Sequence, residues 1–129
     1  HAVPHTTSEI LLIGALAGRA EASVKGSIVI APGAEKSDGR EEIKTLLLSP
    51  EARIRTIPEL KILNNDVKCS HAVATTHIDE EKKFYLESRG MNEAEAVQAV
   101  IAGHFALLLD RAADEGLRTD IVKKINSLF

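Results

Sequence analysis

The sequence predicts a mainly β front part followed by a small α-helical part, with a junction near residue 78. Three observations carry this expectation. Every aromatic residue (Phe84, Tyr85, Phe105 and Phe129) falls after residue 78. Residues 20–30 alternate apolar and polar side chains, the period-two pattern of a strand with one wet face. Residues 96–109 repeat apolar side chains at helical spacing. Charge divides at the same place: residues 1–77 carry nine basic and nine acidic side chains, and residues 78–129 carry seven and ten. The expected units are therefore 1–77 and 78–129.

Taken in order, residues 8–13 are expected to form the first strand, with helix as the alternative. In the next, Ala20, Ala22, Val24, Ile28 and Ile30 share one face, and Glu21, Ser23, Lys25 and Ser27 the other. Val29 breaks the alternation, and Gly26 suggests a bend or bulge. Ala31-Pro32-Gly33 ends this strand, and Ser37-Asp38-Gly39 reads as a turn. Short strands follow at 43–48, 52–57 and 60–63, separated by Ser49-Pro50, Pro58 and Asn64-Asn65-Asp66. Residues 67–76 make a last strand. Short strands with aliphatic interiors fit a sandwich, a barrel or a β-solenoid, and no fixed repeat chooses among them. A front part without aromatics is a thin core. It is expected to lean on upstream coils, on the helices behind it or on a partner chain.

Asp79 is expected to cap a helix running to about Ser88, with Glu80 and Glu81 in its first turn and Gly90 as its stop. Asn92 with Glu95 forms a capping box that opens a longer helix reaching about Asp114. Its apolar stripe includes Ala96, Val100, Ile101, His104, Phe105 and Leu108. Gly116 is expected to end it, and a final helix to start near Thr119. Such helices bury little by themselves, so an exposed part of the stripe reads as a docking surface.

Composition excludes several classes. The chain has 129 residues, 44% apolar and 27% charged, which is globular usage. Sixteen Lys and Arg against nineteen Asp and Glu give a net charge of -3, which weighs against a nucleic-acid grip and a polybasic membrane anchor. No apolar run approaches the ~18 residues of a membrane span, and the start lacks the pattern of a signal peptide. A single cysteine, Cys69, cannot form an internal disulfide. The first residue is not Met, so a longer parent chain or a foreign start is expected.

Cys69 and His71 are the close Cys–His pair. At i and i+2 on a strand they leave the same face, with Cα atoms about 6.5–7 Å apart. A thiolate and an imidazole so placed suit iron or zinc. Two ligands do not close a site, so others would come from His77, an acidic side chain or a second chain. The plain alternative is packing: Val67 and Val73 share that face, and cysteine often serves as a small hydrophobe. His104 reads as a packed histidine, His77 as a turn residue, and His1 and His5 as flexible. Glu41-Glu42, Glu80-Glu81 and Asp114-Glu115 read as helix starts or solvated faces. No nucleophile elbow, phosphate loop or dinucleotide fingerprint is present. A Cys–His nucleophile pair would lack an orienting third group.

One ordered set of motifs is recognisable. Pro58-Glu59-Leu60-Lys61-Ile62 is followed by Asn65-Asp66-Val67-Lys68-Cys69-Ser70-His71. Then come Ile78-Asp79-Glu80, Phe84-Tyr85-Leu86 and Ser88-Arg89-Gly90. Together these closely resemble the SufB/SufD family, scaffold components of SUF iron–sulfur cluster assembly. The resemblance covers about residues 5–120 and matches the C-terminal third of a family member. Cys-Ser-His looks like SufD, since SufB usually carries Glu-His-Glu there. Ala72-Val73 departs from the family's Gly-Ala.

This resemblance implies a right-handed parallel β-helix segment over residues 1–77, followed by a helical domain. It implies a non-catalytic subunit that pairs with a second SufB/SufD subunit and docks SufC, an ABC-type ATPase. A transient iron–sulfur cluster would form at the subunit interface, held by no chain alone, with His71 as the best-matched ligand and Cys69 its neighbour. The candidate ATPase-docking surface lies on the helices from Asp79 to about Gly116, among them Phe84, Tyr85, Arg89 and Phe105. The expected compartment is the cytoplasm, or the plastid stroma in a eukaryote, with no nucleic acid and no membrane insertion. Two other readings stand beside it. A solenoid enzyme acting on polysaccharide is disfavoured by the aromatic-free front. A β-solenoid interaction module without a metal role is the second.

Overall fold

Five strands of ten residues each precede three helices in the computed structural model, which describes residues 1–129. The strands are β1 (Thr7–Leu16), β2 (Glu21–Ile30), β3 (Asp38–Leu47), β4 (Arg53–Ile62) and β5 (Lys68–His77). They form two sheets, one in the order β1-β3-β5 and one of β2 and β4. The β1–β3 and β2–β4 pairs are parallel, so the chain alternates between sheets and returns to each one rung later. Residues 1–76 form one unit and residues 77–129 another.

The register follows steps of similar but unequal length. Thr7 lies opposite Asp38 and Glu21 opposite Arg53. Polar links span nearly the same distance along the chain: Thr6 to Ser37 spans 31 residues, Asn64 to Pro32 spans 32, and Lys36 to Asp66 spans 30. Inward-facing aliphatics fill the space between the sheets. Ile28, Ile30 and Ala34 form a buried cluster against Leu60, Val67 and Cys69. Ile43, Leu46, Leu47 and Ala52 are also buried. Burying a side chain of this size stabilises by about 1.5–3 kcal/mol, so the interior needs no aromatic rings.

Three local expectations are corrected. Residues 52–57 and 60–63 are one strand, β4, and Pro58 lies within it. The N–H groups of Arg53 and Leu63 donate to Ala20 and Ile30, so odd-numbered residues of β4 face β2. Pro58 is even-numbered, and its missing N–H falls on the open side, where no ladder bond is lost. Asp38 and Gly39 open β3 instead of forming a turn: the Asp38 N–H donates to the Thr6 carbonyl at 2.9 Å. Gly26 makes no bulge, because β2 and β4 pair without a break from Glu21 to Ile30. It is a point of close approach. A Cβ there would lie 1.6 Å from Glu41 Oε1.

The helical unit is organised by its caps. Asp79 accepts hydrogen bonds from the Glu81 and Lys82 N–H groups and starts α1 (Glu80–Ser88). Asn92 and Glu95 form the expected capping box of α2 (Glu93–Asp110). Here α2 stops short of Asp114, and α3 (Glu115–Leu128) begins before Thr119. Asp114 accepts from the Leu117 N–H at 2.7 Å, so it caps a new helix and Gly116 sits in its first turn instead of ending the previous one. Ala96, Ile101 and Phe105 of α2 and Ile125 of α3 are buried. Lys83 of α1 pairs with Glu93 of α2 at 2.7 Å. No helix is long and apolar enough to cross a membrane.

Candidate functional site

β5 is an outer strand of its sheet, opposite β1. Its Lys68 N–H donates to the Ser37 carbonyl at 2.9 Å, which sets Lys68 beside Asp38 and turns the even-numbered backbone groups toward β3. The odd-numbered residues, Cys69, His71, Val73 and Thr75, therefore direct their N–H and C=O groups to the open edge. Side chains alternate on the other axis. Val67 and Cys69 pack on the cluster of Ile28, Ile30 and Ala34, so His71 leaves β5 on that same inner face.

Cys69 is half-buried and His71 is exposed. The thiol sits over Gly39: a Cβ on that glycine would lie 2.9 Å from Ile28 Cγ2 and 3.7 Å from Cys69 Sγ. Burial pushes the Cys69 thiol above its ordinary range, and the negative charge of Asp38 adds to the effect. Both effects favour the protonated thiol, which would have to lose that proton to ligate a metal. No group of three or more His, Cys, Asp or Glu side chains is arranged to hold a metal ion.

The remaining histidines are placed individually. His1 is held: its amino group donates to the Val29 carbonyl at 2.7 Å, and its ring hydrogen-bonds Thr6 Oγ1 and Ser8 Oγ. His5 N–H donates to the Glu35 carbonyl at 2.8 Å, so neither residue is the flexible end expected from sequence. His104 lies edge-on to Phe105, with ring centroids 5.6 Å apart. His77 is the exposed last residue of β5.

The four candidate partner-binding residues divide. Phe84 is 71% exposed and Tyr85 55% exposed on α1. The Arg89 guanidinium lies over the Tyr85 ring, 5.1 Å from its centroid, a cation–π contact. Phe105 is buried in the helical unit and belongs to its packing.

One group escaped the sequence reading. Glu41 was expected on a solvated face, yet it is 4% exposed, and its Oε2 is buried without a hydrogen-bond partner. Neighbouring Glu42 points the other way and pairs with Lys44 at 2.7 Å. The signal available was the strand itself: in β structure one of two adjacent carboxylates faces inward.

Residues 1–104 match the family model described as the SUF system FeS cluster assembly, SufBD core domain. The chain belongs to the SufB/SufD family. It is 38% identical over 107 residues to the iron-sulfur cluster assembly protein SufD of Escherichia coli, covering 83% of this chain and 25% of that protein. An iron-sulfur cluster assembly SufBD family protein of Synechocystis is 34% identical over 92 residues, 71% of this chain and 20% of its own length. A SufBD family protein of Mycobacterium tuberculosis is 33% identical across 97% of this chain and 34% of its own length. The chain thus spans between a fifth and about a third of the relatives it matches. Within the family it is SufD-like, in agreement with the Cys-Ser-His segment.

Proposed function

We propose that this chain is the β-helix end and helical tail of a non-catalytic scaffold subunit in SUF iron–sulfur cluster assembly. The alternation between two parallel sheets, with returns 30 to 32 residues apart, supports a solenoid of the right-handed parallel β-helix type. The subunit pairs with a second SufB/SufD-type subunit through the open edge of β5. It docks a SufC-type ABC ATPase through its helices, with Phe84, Tyr85 and Arg89 on the contact surface. It works in the cytoplasm, or in the plastid stroma of a eukaryote.

The observation that carries this reading is the pair on β5: Cys69 and His71 leave one face of an edge strand, and His71 is open to solvent. A shared interface supplies the ligands that one strand lacks, and the cluster is cargo assembled between subunits. ATP-driven movement of the docked helices would open or close that interface by subunit rotation.

The deciding experiment is anaerobic reconstitution of the full-length protein, its partner subunit and its ATPase with iron and sulfide. His71→Ala is expected to lose cluster assembly with unchanged circular dichroism, and Cys69→Ala to reduce it. Full cluster yield in both variants would reject the scaffold reading. It would favour the second one, an interaction module without a metal role, which rests on the packing of Cys69 against Ile28, Ile30 and Ala34.

A further inference from the structure

We infer that Glu41 is a positioning residue for His71, accepting a hydrogen bond from its ring N–H so that the other ring nitrogen is aimed at the metal. The inference rests on the reading of His71 as a ligand and extends it to a residue outside the family motif.

Three observations converge. Glu41 is 4% exposed and its Oε2 is buried with no hydrogen-bond partner, so an acceptor is held ready inside the β unit. The opposite sheet makes room for that carboxyl. Glu41 Oε1 and Oε2 would lie only 1.6 and 2.5 Å from a Cβ on Gly26, so any residue but glycine would displace them. Finally, the register brings the two groups together. Lys68 lies beside Asp38 through its bond to the Ser37 carbonyl, and Cys69 Sγ sits over Gly39. Carried two positions further along both strands, that register would set Glu41 beside His71 on the inner face, on strands about 4.8 Å apart. His71 has no opposing strand above it in the β2–β4 sheet, so its ring is free to turn toward Oε2.

The chemistry of metal-bound histidine calls for such a group. A ligating imidazole commonly donates its second N–H to a carboxylate, which fixes the tautomer and the ring orientation. A buried unpaired acceptor is otherwise a cost with no return.

The test compares Glu41→Gln with Glu42→Gln, which removes the same charge from the outer face. In the metal-free full-length protein, 15N NMR of the His71 ring is expected to show one dominant tautomer in the wild type and in Glu42→Gln. Glu41→Gln is expected to give a mixture or the opposite tautomer. Anaerobic Fe(II) titration of the protein with its partner subunit is expected to show affinity lowered about 10- to 100-fold by Glu41→Gln alone. Identical tautomer populations in wild type and Glu41→Gln overturn the inference, whatever the iron affinity. A tautomer change with Fe(II) binding untouched by either Glu41→Gln or His71→Ala upholds the pairing and removes the ligand reading instead.

Discussion

The β unit and the helical unit are held in different ways. In the β unit, partners are 30 to 32 residues apart in sequence, and the interior is a seam of aliphatic side chains between two sheets. In the helical unit the visible constraints are local: side-chain caps, a capping box and ion pairs such as Lys83–Glu80. The lesson is a division of labour. A register fixed by long-range pairing places single side chains, the Cys69 thiol over Gly39 and the Glu41 carboxyl against Gly26. Locally stabilised helices instead present a surface, which Phe84 and Tyr85 leave apolar and exposed.

That contrast can be broken by mutation, beginning with the β interior. Ile30 is fully buried, and Ile30→Ala is expected to destabilise the β unit by about 2–5 kcal/mol in urea unfolding. A loss below 1 kcal/mol would show that the seam is not the source of its stability. Gly26→Ala comes next. Its Cβ meets the end of the Glu41 side chain, which must swing aside, and the expected cost is about 1 kcal/mol. The double variant Gly26→Ala/Glu41→Ala should recover much of it, and a strictly additive loss would disprove the collision.

In the helical unit the expected effects are no larger than this. Asn92→Ala removes one half of a capping box and should cost about 1 kcal/mol, read as lost helicity in thermal melts. The smallest effect is a pH dependence. Hydrogen bonds from the Lys82 backbone, with further help from the Lys82 side chain and the Glu81 backbone, hold Asp79 below its ordinary value of 3.8. A carboxyl lowered by folding stabilises when ionised. Its contribution is therefore complete above the ordinary value and disappears as pH falls through the lowered one. Circular dichroism should show α1 losing part of its stability across that acid window. Asp79→Asn, which still caps, should flatten the dependence; an unchanged acid profile would assign it to another group.

What could be read from sequence follows the same division. The caps Asp79 and Asn92 and the junction near residue 78 are local patterns, complete within a few residues. The sheet order is different. Successive returns of 30, 31 and 32 residues share no constant period, and the links that mark them are mixed side-chain and backbone contacts. Pro58 reads as a break because sequence does not tell which side of a strand lies open. Glu41 is missed because paired carboxylates read as helix starts or solvated faces, although strand geometry sends one of the two inward. Cys69 and His71 are legible as a same-face pair, but the close approach of the thiol to Gly39 and of the Glu41 carboxyl to Gly26 are products of long-range pairing.

Pro58 has a consequence for assembly. β4 and β5 are the final strands of their sheets, and each offers its outer backbone to any extended segment that approaches. On β4 the pyrrolidine ring stands in that row and interrupts it; β5 contains no proline. An extended segment that paired at this end would find one uninterrupted rail of two. A joint made along a single rail is self-limiting when two copies meet face to face, which favours closed pairs over open-ended fibres.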